Sequence, residues 1–210
     1  MKRFISPRPM KASFIGFVLI LTTFAVQADP VGVAAENYFS TLFSQLEQVA
    51  EQKPTVKTFR AAMKPCAEAT DGFFGGSYID TDYTIRQVYK KRNFLARGFD
   101  LRKVNPLEPF WKEMAAQPSA QLSEPSNGGL FRPSLISLRV PILTNGKLEA
   151  VVSLMVRTER FLKATGLDEC NAFKIICRGE LAEEKGKLSD QPHEVKLALP
   201  STVWVIQYDR

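Results

Sequence analysis

Residues 134–157 read SLISLRVPILTNGKLEAVVSLMVR, and this stretch decides the fold. Asn145-Gly146 separates two runs rich in aliphatic and β-branched residues, the strongest short-range mark of a β-hairpin. Strands are expected over Ser134 to Leu143 and Leu148 to Arg157. With a two-residue loop, Leu143 faces Leu148 and Arg139 faces Val152. One face then carries Ile136, Leu138, Val140, Val151 and Met155. The other carries Leu135, Leu143, Leu148, Ala150, Val152 and Leu154. Both faces are apolar, so both need cover.

Upstream lies a candidate cover. Asp29-Pro30 forms a helix start, with Asp as cap and Pro in the first turn. Ala35, Tyr38, Phe39, Leu42, Phe43, Leu46, Val49 and Ala50 follow at helical spacing. Pro54 ends this helix or opens a second one, with Val56, Phe59, Ala62 and Met63 inward and Pro65 as its stop. Gly72, Gly75 and Gly76 break the pattern. Ser77 to Asp80 and Tyr83 to Tyr89 read as a strand pair turning through Asp80-Thr81-Asp82. A short helix is expected at Phe110 to Ala116, then an irregular loop from Pro118 to Pro133. Beyond the hairpin, Thr158 to Gly166 reads as a helix with a glycine stop. Phe173 to Cys177, Val195 to Leu199 and Thr202 to Tyr208 read as strands, and Glu180 to Asp190 as a charged loop. The fold class is α+β, with an antiparallel sheet and a long N-terminal helix.

The N-terminus carries an export signature. Lys2, Arg3, Arg8 and Lys11 precede an apolar run from Phe14 to Val26, shorter than the ~20 residues of a membrane-spanning helix. A small-x-small site places cleavage after Ala28, leaving 29–210 as a single domain. The alternative is an uncleaved inner-membrane anchor. The chain has 28 basic and 22 acidic residues. Four of the basic ones lie in the signal, so the mature part is 24 minus 22, or +2. That balance argues against a nucleic-acid partner. A periplasmic or secreted location follows. Cys170 and Cys177, close in sequence, are candidates for a disulfide in an oxidising compartment; two buried thiols that never meet are the alternative.

Chemistry for turnover is hard to find. His193 is the only histidine, and it lies in a polar stretch away from any serine elbow or cysteine pair. Nucleophilic catalysis needs a base beside its nucleophile, and a zinc site needs several close ligands. No cofactor and no enzyme activity are expected. Arg139 stands out instead, because a guanidinium among apolar neighbours needs a partner. That partner is either a protein carboxylate or the anionic group of a ligand held in bidentate fashion. Arg102 and Trp111 flank a loop-to-helix entry that could offer a charge and a flat apolar wall. Tyr83 and Tyr89, on one face of their strand, complete the candidate set.

The order of pieces resembles the extracytoplasmic PAS-like sensor domains called Cache domains. The resemblance rests on Gly98-Phe99-Asp100-Leu101-Arg102, Pro109-Phe110-Trp111-Lys112, Ser123-Glu124-Pro125, Leu138-Arg139-Val140-Pro141-Ile142 and Ala150-Val151-Val152-Ser153-Leu154. It covers the chain from about Ala35 to Val156. It implies a helix behind the sheet and a small-molecule pocket on the opposite side. There Arg102 and Trp111 would contact ligand and Arg139 would floor the pocket. It also implies a sensor for a small organic anion or amino acid. Family members normally continue into a transmembrane helix and a signalling module. This chain stops at Arg210, so occupancy would pass to a membrane-bound signalling partner. The competing expectation is a scaffold subunit whose pocket is filled by side chains.

Overall fold

The computed structural model describes residues 29–90, 96–127 and 133–210; the expected signal segment, 1–28, lies outside them. Helix α1 spans Pro30–Glu51. Its Asp29 cap accepts hydrogen bonds from the backbone N–H groups of Val31 (2.9 Å) and Gly32 (3.1 Å), two of the donors that a helix start leaves unpaired. Helix α2 (Phe59–Ala69) follows, then strands β1 (Phe73–Asp80) and β2 (Ile85–Tyr89). Helix α3 (Glu108–Ala116) leads to the short strands β3 (Gln121–Leu122) and β4 (Ser126–Asn127). The long hairpin is β5 (Ser134–Thr144) and β6 (Lys147–Arg157). Helix α4 (Thr158–Thr165) and strands β7 (Ala172–Cys177), β8 (Glu180–Lys185), β9 (His193–Leu199) and β10 (Thr202–Asp209) complete the chain.

The strands form two antiparallel sheets. The first runs β2-β1-β6-β5-β3, with β4 also on β5; the second runs β8-β7-β10-β9. Helix α1 packs on β5 and β6 of the first sheet and on β9 of the second. Its Phe39 ring lies 5.0 Å from Phe161 of α4 and 5.1 Å from Trp204 of β10. One continuous hydrophobic cluster therefore joins α1, α2, α4 and both sheets. A smaller cluster of Ile79, Ile85, Val88, Trp111, Met114 and Val151 covers the other face of the first sheet.

The β5–β6 turn forms as its sequence demands. Asn145 (φ 51°) and Gly146 (φ 76°) take the left-handed backbone that a two-residue hairpin loop requires. Leu143 does face Leu148, but the register then shifts, because Ile142 pairs with Ala150 and leaves Glu149 as an extra residue. The bulge moves every later pair by one position, so Arg139 faces Ser153 rather than Val152. Ile136, Leu138, Val140 and Ile142 thus share the α1 face with Ala150, Val152, Leu154 and Val156.

Further expectations are corrected or decided between alternatives. Pro65 lies inside α2 rather than ending it. Both Pro65 and Ala61 are exposed, so water can reach the carbonyl that the missing amide leaves free. Val56 is exposed in the turn before α2 instead of facing inward. The stretch from Pro118 to Pro133 contains β3 and β4, and that from Glu180 to Asp190 contains β8; sheet pairing overrides their polar composition. Cys170 and Cys177 are free, buried thiols. Cys170 precedes the extended strand β7 and Cys177 ends it, so the strand's five steps of ~3.3 Å alone hold them far beyond the ~7 Å that a disulfide tolerates.

Candidate functional site

A polar row crosses the first sheet on the face away from α1. Gln121 of β3 pairs with Arg139 of β5, Arg139 with Ser153 of β6, and Ser153 with Ser77 of β1. All four side chains are buried. Ser77 and Ser153 satisfy each other through an Oγ–Oγ hydrogen bond of 2.7 Å. Above the row lies α3. Its Glu108-Pro109 start fits a helix first turn, and its inward residues Phe110, Trp111 and Met114 follow helical spacing. Gln121 donates through Nε2 to the Phe110 carbonyl (3.0 Å), tying the edge strand to the helix.

Arg139 is the centre of this arrangement. It is 5% exposed and makes no ion pair among the described residues. Its guanidinium carbon lies 4.8 Å from the Phe110 ring centre and 5.4 Å from that of Trp111. Aromatic faces attract a cation, but they do not satisfy its N–H donors. Among the described residues Nη1 has no hydrogen-bond partner, and the neighbouring Trp111 Nε1 and Gln121 Oε1 have none either. Burial pushes the Arg139 pKa down to about 10, and only the charge of Glu124 acts in the opposite direction. Glu124 is itself engaged with Arg178 at 3.7 Å. Arg178 belongs to the β7–β8 turn, and its guanidinium carbon lies 4.7 Å from the centre of the same Phe110 ring.

Trp111 is 3% exposed and stands with Arg139. Tyr83 lies in the turn before β2, with its ring 5.0 Å from that of Trp111, and its hydroxyl donates to the Trp111 carbonyl (3.1 Å). It acts as a brace behind the indole. Burial raises its pKa. Tyr89 is not on this side. It shares the opposite face with Phe73, at 5.8 Å, and the Arg60 guanidinium sits over its ring. The reason is a bulge in β2: Tyr78 faces Gln87 but Ile79 faces Ile85, so Arg86 is an extra residue and the alternation changes phase. Arg102 is also elsewhere. Its side chain is 55% exposed and grips Asp100 with two hydrogen bonds of 2.9 Å. The Arg102 contacts hold the Asp100 carboxyl below the usual carboxylate range.

Sequence reasoning missed Gln121 and the serine pair. Gln121 sat inside a stretch of loop composition, and its only signal was the polar–apolar–polar alternation of Gln121, Leu122 and Ser123. The serines become a pair only through the β1–β6 register, in which Ser77 faces Ser153. Elsewhere, two open hollows of about 420 and 360 Å³ flank α1, one beside Tyr38 and Gln45 and one beside Phe43 and Pro200. Neither includes Arg139. Among the described residues no three His, Cys, Asp or Glu side chains gather in a metal-holding group, and no helix is long and apolar enough to cross a membrane.

A PAS-like antiparallel sheet, backed by a long N-terminal helix and capped on its other face by a short helix, is the fold of extracytoplasmic Cache sensor domains, and this chain has it. It is similar to an extracellular ligand binding receptor of Desulfohalobium retbaense, with a TM-score of 0.64 and 16% identity over 85% of this chain; it spans 39% of that one. It is also similar to the ligand-binding domain of the Pseudomonas aeruginosa amino acid chemoreceptor PctC in complex with GABA (TM-score 0.60, 13% identity, 84% of this chain and 93% of that one). A third likeness is to the ligand-binding domain of the Pseudomonas fluorescens chemoreceptor CtaA in complex with L-isoleucine (TM-score 0.56, 18% identity, 84% and 87%). No protein-family model matches the sequence, and no curated protein does.

Proposed function

We propose that this chain is an exported sensor-like domain that binds a small organic anion or amino acid and passes its occupancy to a membrane-bound signalling partner. One observation carries the reading: a buried guanidinium with an unpaired N–H, on the sheet face beneath α3. A charge in that position is costly unless a counter-charge arrives. A ligand carboxylate supplies both the charge and the hydrogen-bond acceptors. Trp111 and Phe110 give it apolar walls, and Tyr83 holds Trp111 in place. The likeness to chemoreceptor ligand-binding domains supports the same reading. Arg102, committed to Asp100 at the surface, takes no part in it.

A second reading has its own support. Phe110 and Trp111 already face the guanidinium, as they would in a scaffold whose pocket is filled by side chains. A thermal-shift screen of small carboxylates and amino acids separates the two. Ligand at about 100 times its Kd adds ~2.7 kcal/mol, roughly 5–10 °C for a domain of this size. The sensor reading expects such a shift in the native chain and none in Arg139→Met. It also expects Arg139→Met without ligand to melt higher by about 2–4 °C, since replacing an unmatched buried charge by an apolar side chain is neutral or stabilising. A flat response across the whole panel favours the scaffold and removes the sensor.

A further inference from the structure

The unpaired atoms around Arg139 describe more than an anion. Three buried polar atoms there lack partners among the described residues: Arg139 Nη1, Trp111 Nε1 and Gln121 Oε1. The first two are donors and the third is an acceptor. They belong to one neighbourhood. Gln121 is the cross-strand partner of Arg139, its amide reaches the Phe110 carbonyl, and Trp111 is the next residue along α3. Gln121 and Arg139 are therefore about 5 Å apart at Cβ. A molecule that satisfies all three atoms presents two acceptors and one donor.

The charge balance narrows this further. Around the Phe110 ring stand two guanidiniums, Arg139 and Arg178, with one carboxylate, Glu124, which is paired with Arg178. Of the other carboxylates near the β1–β2 turn and α3, Asp80 is held by Arg86, Asp100 by Arg102 and Glu108 by Lys112, while Asp82 and Glu113 are exposed. Residues 1–28, 91–95 and 128–132 contain no Asp or Glu, so no further acid comes from them. Inside the site the charge of Arg139 is therefore unmatched by any carboxylate of the described residues. A zwitterion would leave it unbalanced and would place an ammonium beside two guanidiniums. A monoanion neutralises it.

Resting on the ligand-binding reading above, we propose that the site takes a short 2-hydroxy monocarboxylate. The carboxylate accepts hydrogen bonds from Arg139 and the Trp111 indole N–H, and the hydroxyl donates to Gln121 Oε1. Gln121 is then a specificity-determining residue, since a buried acceptor left unpaired discriminates against a ligand without the donor.

Calorimetric titration of the native chain with three probes of one size tests this: 2-hydroxypropionate, propionate and alanine. The expected order is 2-hydroxypropionate about tenfold tighter than propionate, and alanine weakest. Gln121→Met should bring the first two within about threefold of each other while propionate affinity stays near its native value. Alanine binding as tightly as 2-hydroxypropionate, or no preference of the native chain for the hydroxy acid, overturns the proposal. If none of the three binds but another class of ligand shifts the melting temperature, this inference fails and the sensor reading stands. If nothing binds at all, both fail. Should Gln121→Met not fold, the native three-probe series decides alone.

Discussion

Tyr208 shows how one side chain links the first helix to the last strand. Its hydroxyl donates to Asp29 Oδ2 at 2.7 Å, so the cap of α1 is held by the last strand. Burial, with the adjacent Asp29 hydrogen bond and charge, pushes the Tyr208 phenol up to about 12. A folded-state pKa above the usual ~10 means that the folded form keeps its proton longer. The stability this provides is complete below pH ~10 and is lost as the pH rises towards 12. Tyr208→Phe should therefore lower the urea midpoint at pH 8 and flatten its fall between pH 8 and 11.5. An equally steep fall in the variant would exclude Tyr208 as a source of the alkaline transition. At this scale, legibility followed local chemistry. Asp29 was readable as a cap because capping needs only its own neighbours. Arg139 was readable as an oddity because it interrupts an apolar strand. Its partners Ser153 and Gln121 were not, since both are set by register. Arg102 was assigned to the pocket from its place at a helix entry and by resemblance, yet Asp100, two residues away, already satisfies it.

At the scale of elements, periodicity worked where a helix or strand has one covered face. The α1 stripe is buried as its spacing implies, and the Asn145-Gly146 turn forms as composed. It failed where water or pairing decides. Pro65 is the clearest case. The proline survives inside α2 because the Ala61 carbonyl it orphans faces solvent. Pro65→Ala should restore that hydrogen bond and raise stability by about 1–3 kcal/mol, with slower amide exchange along α2. Unchanged exchange would mean that α2 is held by packing alone, through Phe59, Met63 and Cys66. Strands β3 and β8 illustrate the opposite limit. Both are polar edge segments whose strand character comes from a neighbour, β5 and β7 respectively, and no local preference announces them.

The whole molecule depends on α1 serving two sheets at once. Phe39, Phe161 and Trp204 meet at their junction, with ring centres 5.0 to 5.7 Å apart. Trp204 is fully buried. Trp204→Ala should cost about 3–5 kcal/mol, and both sheets should lose structure in one transition, followed by near-ultraviolet and far-ultraviolet dichroism together. Two separated transitions would show the sheets to be independent units. The likeness to solved sensor domains fits this single scaffold, in which one face of the first sheet is spent on the helix and the other is left for the polar row. The second sheet reaches that row through Arg178, whose turn touches Phe110 and Glu124.

The spare residue at Glu149 has a consequence for how the chain tolerates changes in length. Excising it would rejoin Leu148 to Ala150, which already stand opposite Leu143 and Ile142. The hairpin would close up without exchanging its two surfaces. Deletion of Val152 would instead turn Ser153 toward the helix and an aliphatic side chain, Leu154, toward Arg139. Insertions and deletions in this hairpin are thus forgiven at one position and ruinous a few ångströms away.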